Sequence, residues 1–286
     1  MAVIAPRAVK RPKTSWLRRA ASTLNTIFLA NRSTRQFLAL MVFFGVWQLC
    51  CNAGFDFFIN FQLVPSPWEV LKATISFVTS NPWVHFRSSI QRVLIGFAIA
   101  SLLGIILGVL VGWFEKIEDF LMPPLELLRP IPAVAWIPLA ILMFPNAESG
   151  MVYITFIGAF FPVLISTIRG VESTLHDTVL IRVGQCLGAR PWHIFKDIVI
   201  PGSLPSIASG LTIGMGNAWF CLVTAEILAG RYGVGYITWE SYVTSNYPPI
   251  VMGMLLIGLM GALSSWAVGR GTAALMPWRV IKKQDA

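Results

Sequence analysis

The chain has 286 residues, of which 56% are hydrophobic and only 12% charged, and its formal net charge is +9. A mean hydropathy of +0.69 is too apolar for a water-soluble domain and predicts a polytopic membrane protein. The positive charge gathers at the two ends, so membrane orientation accounts for it and a nucleic-acid partner is not implied.

A bilayer core requires about 20 apolar residues per helix. The apolar runs predict six spans: residues 36–55, 90–114, a third beginning near Phe120, 149–169, 201–228 and 247–268. Six spans place both termini on one side. Arg7, Lys10, Arg11, Lys13, Arg18, Arg19, Arg32 and Arg35, with no acid among residues 1–35, make that side the cytoplasm. The expected organisation is a basic cytoplasmic or interfacial segment 1–35, a six-helix membrane domain 36–269 and a cytoplasmic tail 270–286. Residues 1–35 show no signal-peptide core or cleavage site, so the first span reads as an uncleaved start-transfer helix. Cys50, Cys51, Cys186 and Cys221 have no metal spacing and read as small apolar residues.

Between the first two spans, Ser66 is placed to cap a short amphipathic helix over 67–80, with Pro67 at its first position. The second span carries Gly104, Gly108 and Gly112 at four-residue spacing, a bare ridge that lets a neighbouring helix come close. Arg92 near its outer end is expected to snorkel to the interface. The third span contains Pro130, Pro132 and Pro138, which remove backbone donors and predict a broken helix. A broken backbone at membrane depth is tolerated only against protein or a wet cavity. Arg129 lies nine residues past Phe120, about 14 Å into the span at 1.5 Å per residue. There it either faces a pathway or pairs with Glu126. The candidate pathway residues are Arg129, Pro130, Trp136, Asn217 and Glu226. Asn217, on a span with Gly210 and Gly214, either meets a ligand or bonds a neighbouring helix. Glu226 faces water or pairs with Arg231.

The largest polar interruption in the second half is the loop within 171–201. Thr174 and Asp177 predict a helix start. Leu175, Val179, Val183 and Leu187 form an apolar stripe. Gly188 suits the left-handed position at a helix end, Pro191 the first turn of the next helix, and Pro201 is expected to stop that helix. Composition alone reads this as an amphipathic hairpin resting on the membrane.

Three runs carry a resemblance. Gly188 followed by Ile198-Val199-Ile200-Pro201 resembles the cytoplasmic "EAA" loop of binding-protein-dependent ABC importer permeases, although Arg182, Val183 and Gly184 stand where that family has Glu-Ala-Ala. The run Pro65-Ser66-Pro67-Trp68-Glu69-Val70 is similar to a segment of the same family. Leu128-Arg129-Pro130-Ile131-Pro132, followed by Ala135-Trp136-Ile137-Pro138-Leu139, resembles its nitrate, aliphatic sulfonate, taurine and bicarbonate branch. The resemblance implies an all-α type I permease fold. It implies a homodimer docked on two ATP-binding subunits and supplied by a periplasmic or lipid-anchored substrate-binding protein, in a bacterial inner membrane. It implies that Leu187, Gly188, Ala189, Arg190, Pro191 and Trp192 contact the ATPase. The cargo implied is a small anion. ATP and magnesium would belong to the partner, since this chain has no phosphate-cradling glycine loop with lysine.

The chain is therefore expected to be a transport subunit and not an enzyme, without catalytic residues, bound cofactor or metal. His85, His176 and His193 are too scattered across the two sides to share a metal site. An ion-gradient-driven secondary transporter is the alternative reading, against which stand the small number of spans and the lack of an inverted repeat.

Overall fold

A computed structural model describes residues 32–54, 63–80, 82–176 and 178–278. The expectations for the basic arm up to residue 31, for Asp177 and for the tail beyond 278 lie outside these residues. All regular elements among the described residues are helical. The chain divides into two compact units, residues 1–69 and 70–286.

The first unit holds α1 (Arg32–Ala53), an apolar helix with exposed Phe37, Phe43 and Leu49. It also holds the cap that starts α2 (Pro67–Thr79). That cap is reciprocal: Glu69 N donates to Ser66 Oγ at 3.3 Å, and Ser66 N donates to Glu69 Oε2 at 2.9 Å. Two otherwise orphaned amides are satisfied at once.

In the second unit the elements are α3 (Trp83–Trp113), α4 (Glu115–Leu128), a 3-10 turn (Ala133–Trp136), α5 (Ile137–Met143) and α6 (Ala147–Leu175). There follow α7 (Thr178–Cys186), one α-turn (Pro191–His193), a π-helical stretch (Ile194–Val199), α8 (Ile200–Ala229), α9 (Val234–Val243) and α10 (Tyr247–Ala274). Five helices among the described residues are long and apolar enough to cross a membrane. The pair Glu115–Leu128 and Ala133–Met143, bent by 85°, is apolar enough to make a sixth when the two are counted as one broken span.

The middle of the unit is α6, which packs most extensively on α3 and α8. Small residues make this possible. A Cβ added at Gly108 would lie 2.6 Å from Thr167 Cβ, and one at Gly112 2.8 Å from Val171 Cβ. Gly96 and Gly104 continue the ridge against Thr155 and Val163. The neighbour predicted for the glycine ridge is thus α6. On its other side α6 receives Gly210 and Gly214 of α8, which meet Ser166 and Ala159. Helices that share no hydrophobic contrast with lipid gain their association from this close packing.

The broken third span follows its prolines. Helix α4 ends at Leu128 with Arg129 as its C-cap, Pro132 is extended (φ −57°, ψ 135°), and Pro138 falls in the first turn of α5.

Several expectations are corrected. Thr174 does not start a helix: α6 runs on through Leu175, and the buried Thr174 hydroxyl donates to Gly170 O at 2.9 Å inside it. Pro201 does not end a helix. The backbone widens to π-helical register over Ile194–Val199, and Ile200 N donates to Phe195 O, five residues back. That looser turn absorbs the proline that an α-helical ladder would reject. Helical structure is therefore continuous over Pro191–Ala229. Finally, the stripe of Leu175, Val179, Val183 and Leu187 is split: Leu175 ends α6 and packs on buried Val171, Ile194 and Val199, whereas the other three are exposed. The buried face of α7 is that of Gly184, whose added Cβ would meet Ile198 Cδ1 at 2.8 Å. Periodicity gave the apolar face but not the direction in which it points.

Candidate functional site

The break in the third span opens a cleft of about 480 Å³ between the 3-10 turn, α6 and α8. Arg129, Pro132 and Val134 line one wall, and Pro162, Ser166 and Asn217 line the others. The structure thus brings together two of the sequence-predicted residues, Arg129 and Asn217, which are 88 positions apart in the chain. Both side chains are exposed. Among the described residues Arg129 forms no ion pair with Glu126 or any other acid, and Asn217 makes no side-chain hydrogen bond to a neighbouring helix. A guanidinium and an amide, neither with a side-chain partner among the described residues, supply donors to one space whose remaining lining is mostly apolar, with Ser166 as the exception. Helix α5 is only seven residues long, so the positive field at the break comes chiefly from the guanidinium and not from a helix end.

The other path candidates lie elsewhere. Pro130 is exposed beside the break. Trp136 packs against the main core, and its indole N–H is buried without a partner among the described residues. Glu226 neither faces water nor pairs with Arg231. It is wholly buried, and Arg231 is exposed. Its Oε1 accepts from Ser89 Oγ at 2.7 Å and from Arg92 Nη1 at 2.8 Å, and its Oε2 accepts from Gly235 N at 3.0 Å.

Arg92 likewise does not snorkel. It is 3% exposed and gives four hydrogen bonds. Besides Glu226, its Nε and Nη2 donate to the two Glu148 oxygens at 2.7 and 2.6 Å, and Nη1 also donates to Tyr232 O at 2.7 Å. The pair to Glu148 is the bidentate kind that guanidinium geometry favours. Ser89 Oγ accepts from Val234 N at 3.0 Å, and His85 Nδ1 accepts from Gly233 N at 3.2 Å. The glycines after Glu226 allow this wrapping. Gly233 has φ +138°, and a Cβ there would strike the Glu226 carboxylate. Sequence reasoning missed Ser89, His85 and Glu148. The signal at hand was a lone charge near the end of each of three apolar spans. A groove of about 880 Å³ runs beside this network, lined by Arg92, Glu148 and Tyr153. Its arginine is already neutralised.

The second predicted surface is an elbow. Helix α7 ends with Ala189 N donating to Gly184 O at 3.0 Å and Gly188 N to Gln185 O at 2.9 Å, with Gly188 at φ +79°. Pro191 opens the next turn. Leu187, Gly188, Arg190, Pro191 and Trp192 are exposed and Ala189 is half-buried. Leu187 is 83% and Trp192 66% exposed, and with Val179 and Val183 they leave a bare apolar patch.

Residues 100–275 match the family of binding-protein-dependent transport system inner membrane components. A putative ABC transporter permease protein of Methanocaldococcus jannaschii is 44% identical over 196 residues, covering 68% of this chain and 73% of its own length. The nitrate import permease protein NrtB of Synechocystis sp. is 31% identical, covering 86% of this chain and 90% of its own. The taurine transport system permease protein TauC of Escherichia coli is 28% identical, covering 87% and 91%. A solved structure entitled "Inward facing conformations of the MetNI methionine ABC transporter" superposes with a TM-score of 0.53 at 19% identity, covering 71% of this chain and 97% of that one, which is a likeness of fold.

Proposed function

Because the chain belongs to the family of binding-protein-dependent transport system inner membrane components, we propose that it is the membrane-spanning permease subunit of an ATP-driven importer for a small anion such as nitrate, taurine or another aliphatic sulfonate, or bicarbonate. Two copies form the path, two ATP-binding subunits dock from the cytoplasm, and a soluble or lipid-anchored binding protein delivers the cargo from outside. The protein is multi-pass, and its place on this reading is the plasma (inner) membrane of a bacterium with both termini inside. Hydrolysis resides on the partner, which also holds the nucleotide and magnesium.

The observation that carries the anion reading is the cleft. A solvent-reachable guanidinium, without an acidic partner among the described residues, stands beside an amide at a break in a membrane span. A charge at such depth is expensive unless it serves a pathway. In the dimer, two Arg129 side chains near one axis would add their fields. The names of the relatives point the same way, since nitrate and taurine are small molecules with an anionic group.

The elbow supports the coupling. An exposed apolar patch of this kind on a water-facing hairpin fits a groove on a partner protein. Gly188 to Trp192 then form the contact through which closure of the ATPase pair drives the bundle between its two facings. The ABC permease names of the relatives lend no support to a gradient-driven carrier.

The test is reconstitution. The chain is co-expressed with its neighbouring ATPase and binding-protein genes, purified and placed in liposomes. ATP hydrolysis should rise when binding protein and one of these anions are both present, and uptake should stop without ATP. Uptake that persists with no ATPase subunit present would overturn the reading.

A further inference from the structure

A small core separate from the main one lies under the elbow. Val171, Ile194 and Val199 are buried in it, and Val109, Trp113, Leu175, Ile181 and Ala189 pack around them. It joins the inner ends of α3 and α6 to α7 and the π-helical stretch. Across it runs a line of three rings. Trp192, exposed at the elbow tip, stacks on Phe195 at 5.5 Å between centroids. Phe195 meets Trp113 at 4.8 Å, with the ring planes at 60°. Trp113 is the last residue of α3. The next residue, Phe114, is extended (φ −114°, ψ 106°) and forms the hinge into α4. Helix α4 in turn ends at Leu128, with Arg129 as its C-cap.

Resting on the importer reading above, we infer that Phe195 is a positioning residue that relays displacement of the elbow to the hinge at Phe114, and so to the broken span that carries Arg129. The continuous helix Pro191–Ala229 already ties the elbow to α8 by backbone. It does not include α3, which reaches the elbow through the side chains of Val109 and Trp113, nor α4, which is joined to α3 across Phe114. Phe195 is suited to that bridge. It is half-buried, it touches both tryptophans, and it sits in the π-helical stretch, a backbone form that recurs at functional sites. Aromatic rings transmit contact well because they are rigid and have only two side-chain torsions. Trp192 receives the partner, Phe195 passes the movement on, and Trp113 takes it at the end of α3. The elbow therefore acts on two parts of the bundle at once, on α8 through the main chain and on the α3–α4 hinge through this stack.

The experiment compares Phe195→Ala, Phe195→Leu and Phe195→Tyr in the full complex with ATPase and binding protein in liposomes. Three quantities are read: ATPase subunit retained on purification, ATP hydrolysed, and anion taken up per ATP. The Ala and Leu variants should keep the ATPase subunit and hydrolyse ATP, while uptake per ATP falls about fivefold, in keeping with loss of an aromatic pair. The Tyr variant should restore it. Uptake per ATP equal to wild type in the Leu variant would overturn the relay, and so would loss of the ATPase subunit equal to that in Trp192→Ala, because Phe195 would then be a docking contact. If the Ala variant does not fold, the Leu variant decides. Failure of the unaltered chain to hold any ATPase subunit would instead strike the importer reading.

Discussion

Arg92 and Glu226, 134 positions apart in the chain, meet at 2.8 Å with side chains 3% and 0% exposed. Glu148 completes the cluster, so one cation is shared between two carboxylates. The pair holds the segment after α8 through Tyr232 O on Arg92 and Gly235 N on Glu226, and Ser89 of α3 adds a bond from Val234 N. Removing one member of a buried pair leaves the other charged and unpaired, which costs about 3–5 kcal/mol. Arg92→Ala should therefore lower the thermal midpoint in detergent sharply. Arg92→Ala combined with Glu226→Gln should melt above Arg92→Ala alone. A single variant that melts like wild type would show that the cluster contributes nothing.

The glycine ridge gives a second prediction. Gly108→Val would bring a branched side chain against Thr167, where even a Cβ lies 2.6 Å away. Overpacking of this kind destabilises by about 1–3 kcal/mol. Gly271→Ala is the control, since nothing lies within 4 Å of that position. Thermal melts of the two variants should separate clearly, with Gly271→Ala at or above wild type.

The elbow can be disturbed without touching the bundle. Gly188 sits at φ +79° with nothing within 4 Å, so an added side chain meets backbone strain alone. The left-handed conformation costs an ordinary L-residue about 1–2 kcal/mol, and asparagine tolerates it better. Gly188→Val should reduce the ATPase subunit retained on purification, Gly188→Asn should retain most of it, and both should melt near wild type. Equal retention in all three proteins would argue that the shape of this turn is irrelevant to docking.

Arg129 is exposed, so its replacement should leave the fold intact. Arg129→Gln should raise the anion concentration needed for half-maximal uptake about ten- to hundredfold, the range for losing one charge-assisted hydrogen bond. Arg129→Lys keeps the charge but loses the planar fork, and should fall between. Unchanged uptake in Arg129→Gln would remove the residue from the path.

These sites differ in how far the sequence disclosed them. Gly104, Gly108 and Gly112 repeat at a fixed interval on one helix, so the ridge was readable and only its neighbour had to be found. The prolines of the third span announced the break for a similar reason: each acts on its own backbone. Gly188 and Pro191 were legible because their conformational demands are local. Arg92 was not. Its partners lie 56 and 134 positions away, and a lone cation near the end of a span reads equally well as a snorkelling side chain. Pro201 misled because an α-helix rejects proline, whereas the π-helical stretch before it relieves the clash. Residues of that stretch pack against Gly184 and Val171, contacts that leave no periodic trace in the sequence.

The unbroken helix Pro191–Ala229 has 39 residues, about 58 Å at 1.5 Å per residue. The oily layer of a membrane is about 30 Å deep. A rod of this length projects past that layer unless it tilts steeply, and its end away from Pro191 is moored at Glu226. If that mooring serves as a fulcrum, a swing of about 5° carries the far tip by about 5 Å, roughly one helical turn. Small rotations near Glu226 and large excursions near Pro191 are then the two ends of one stroke.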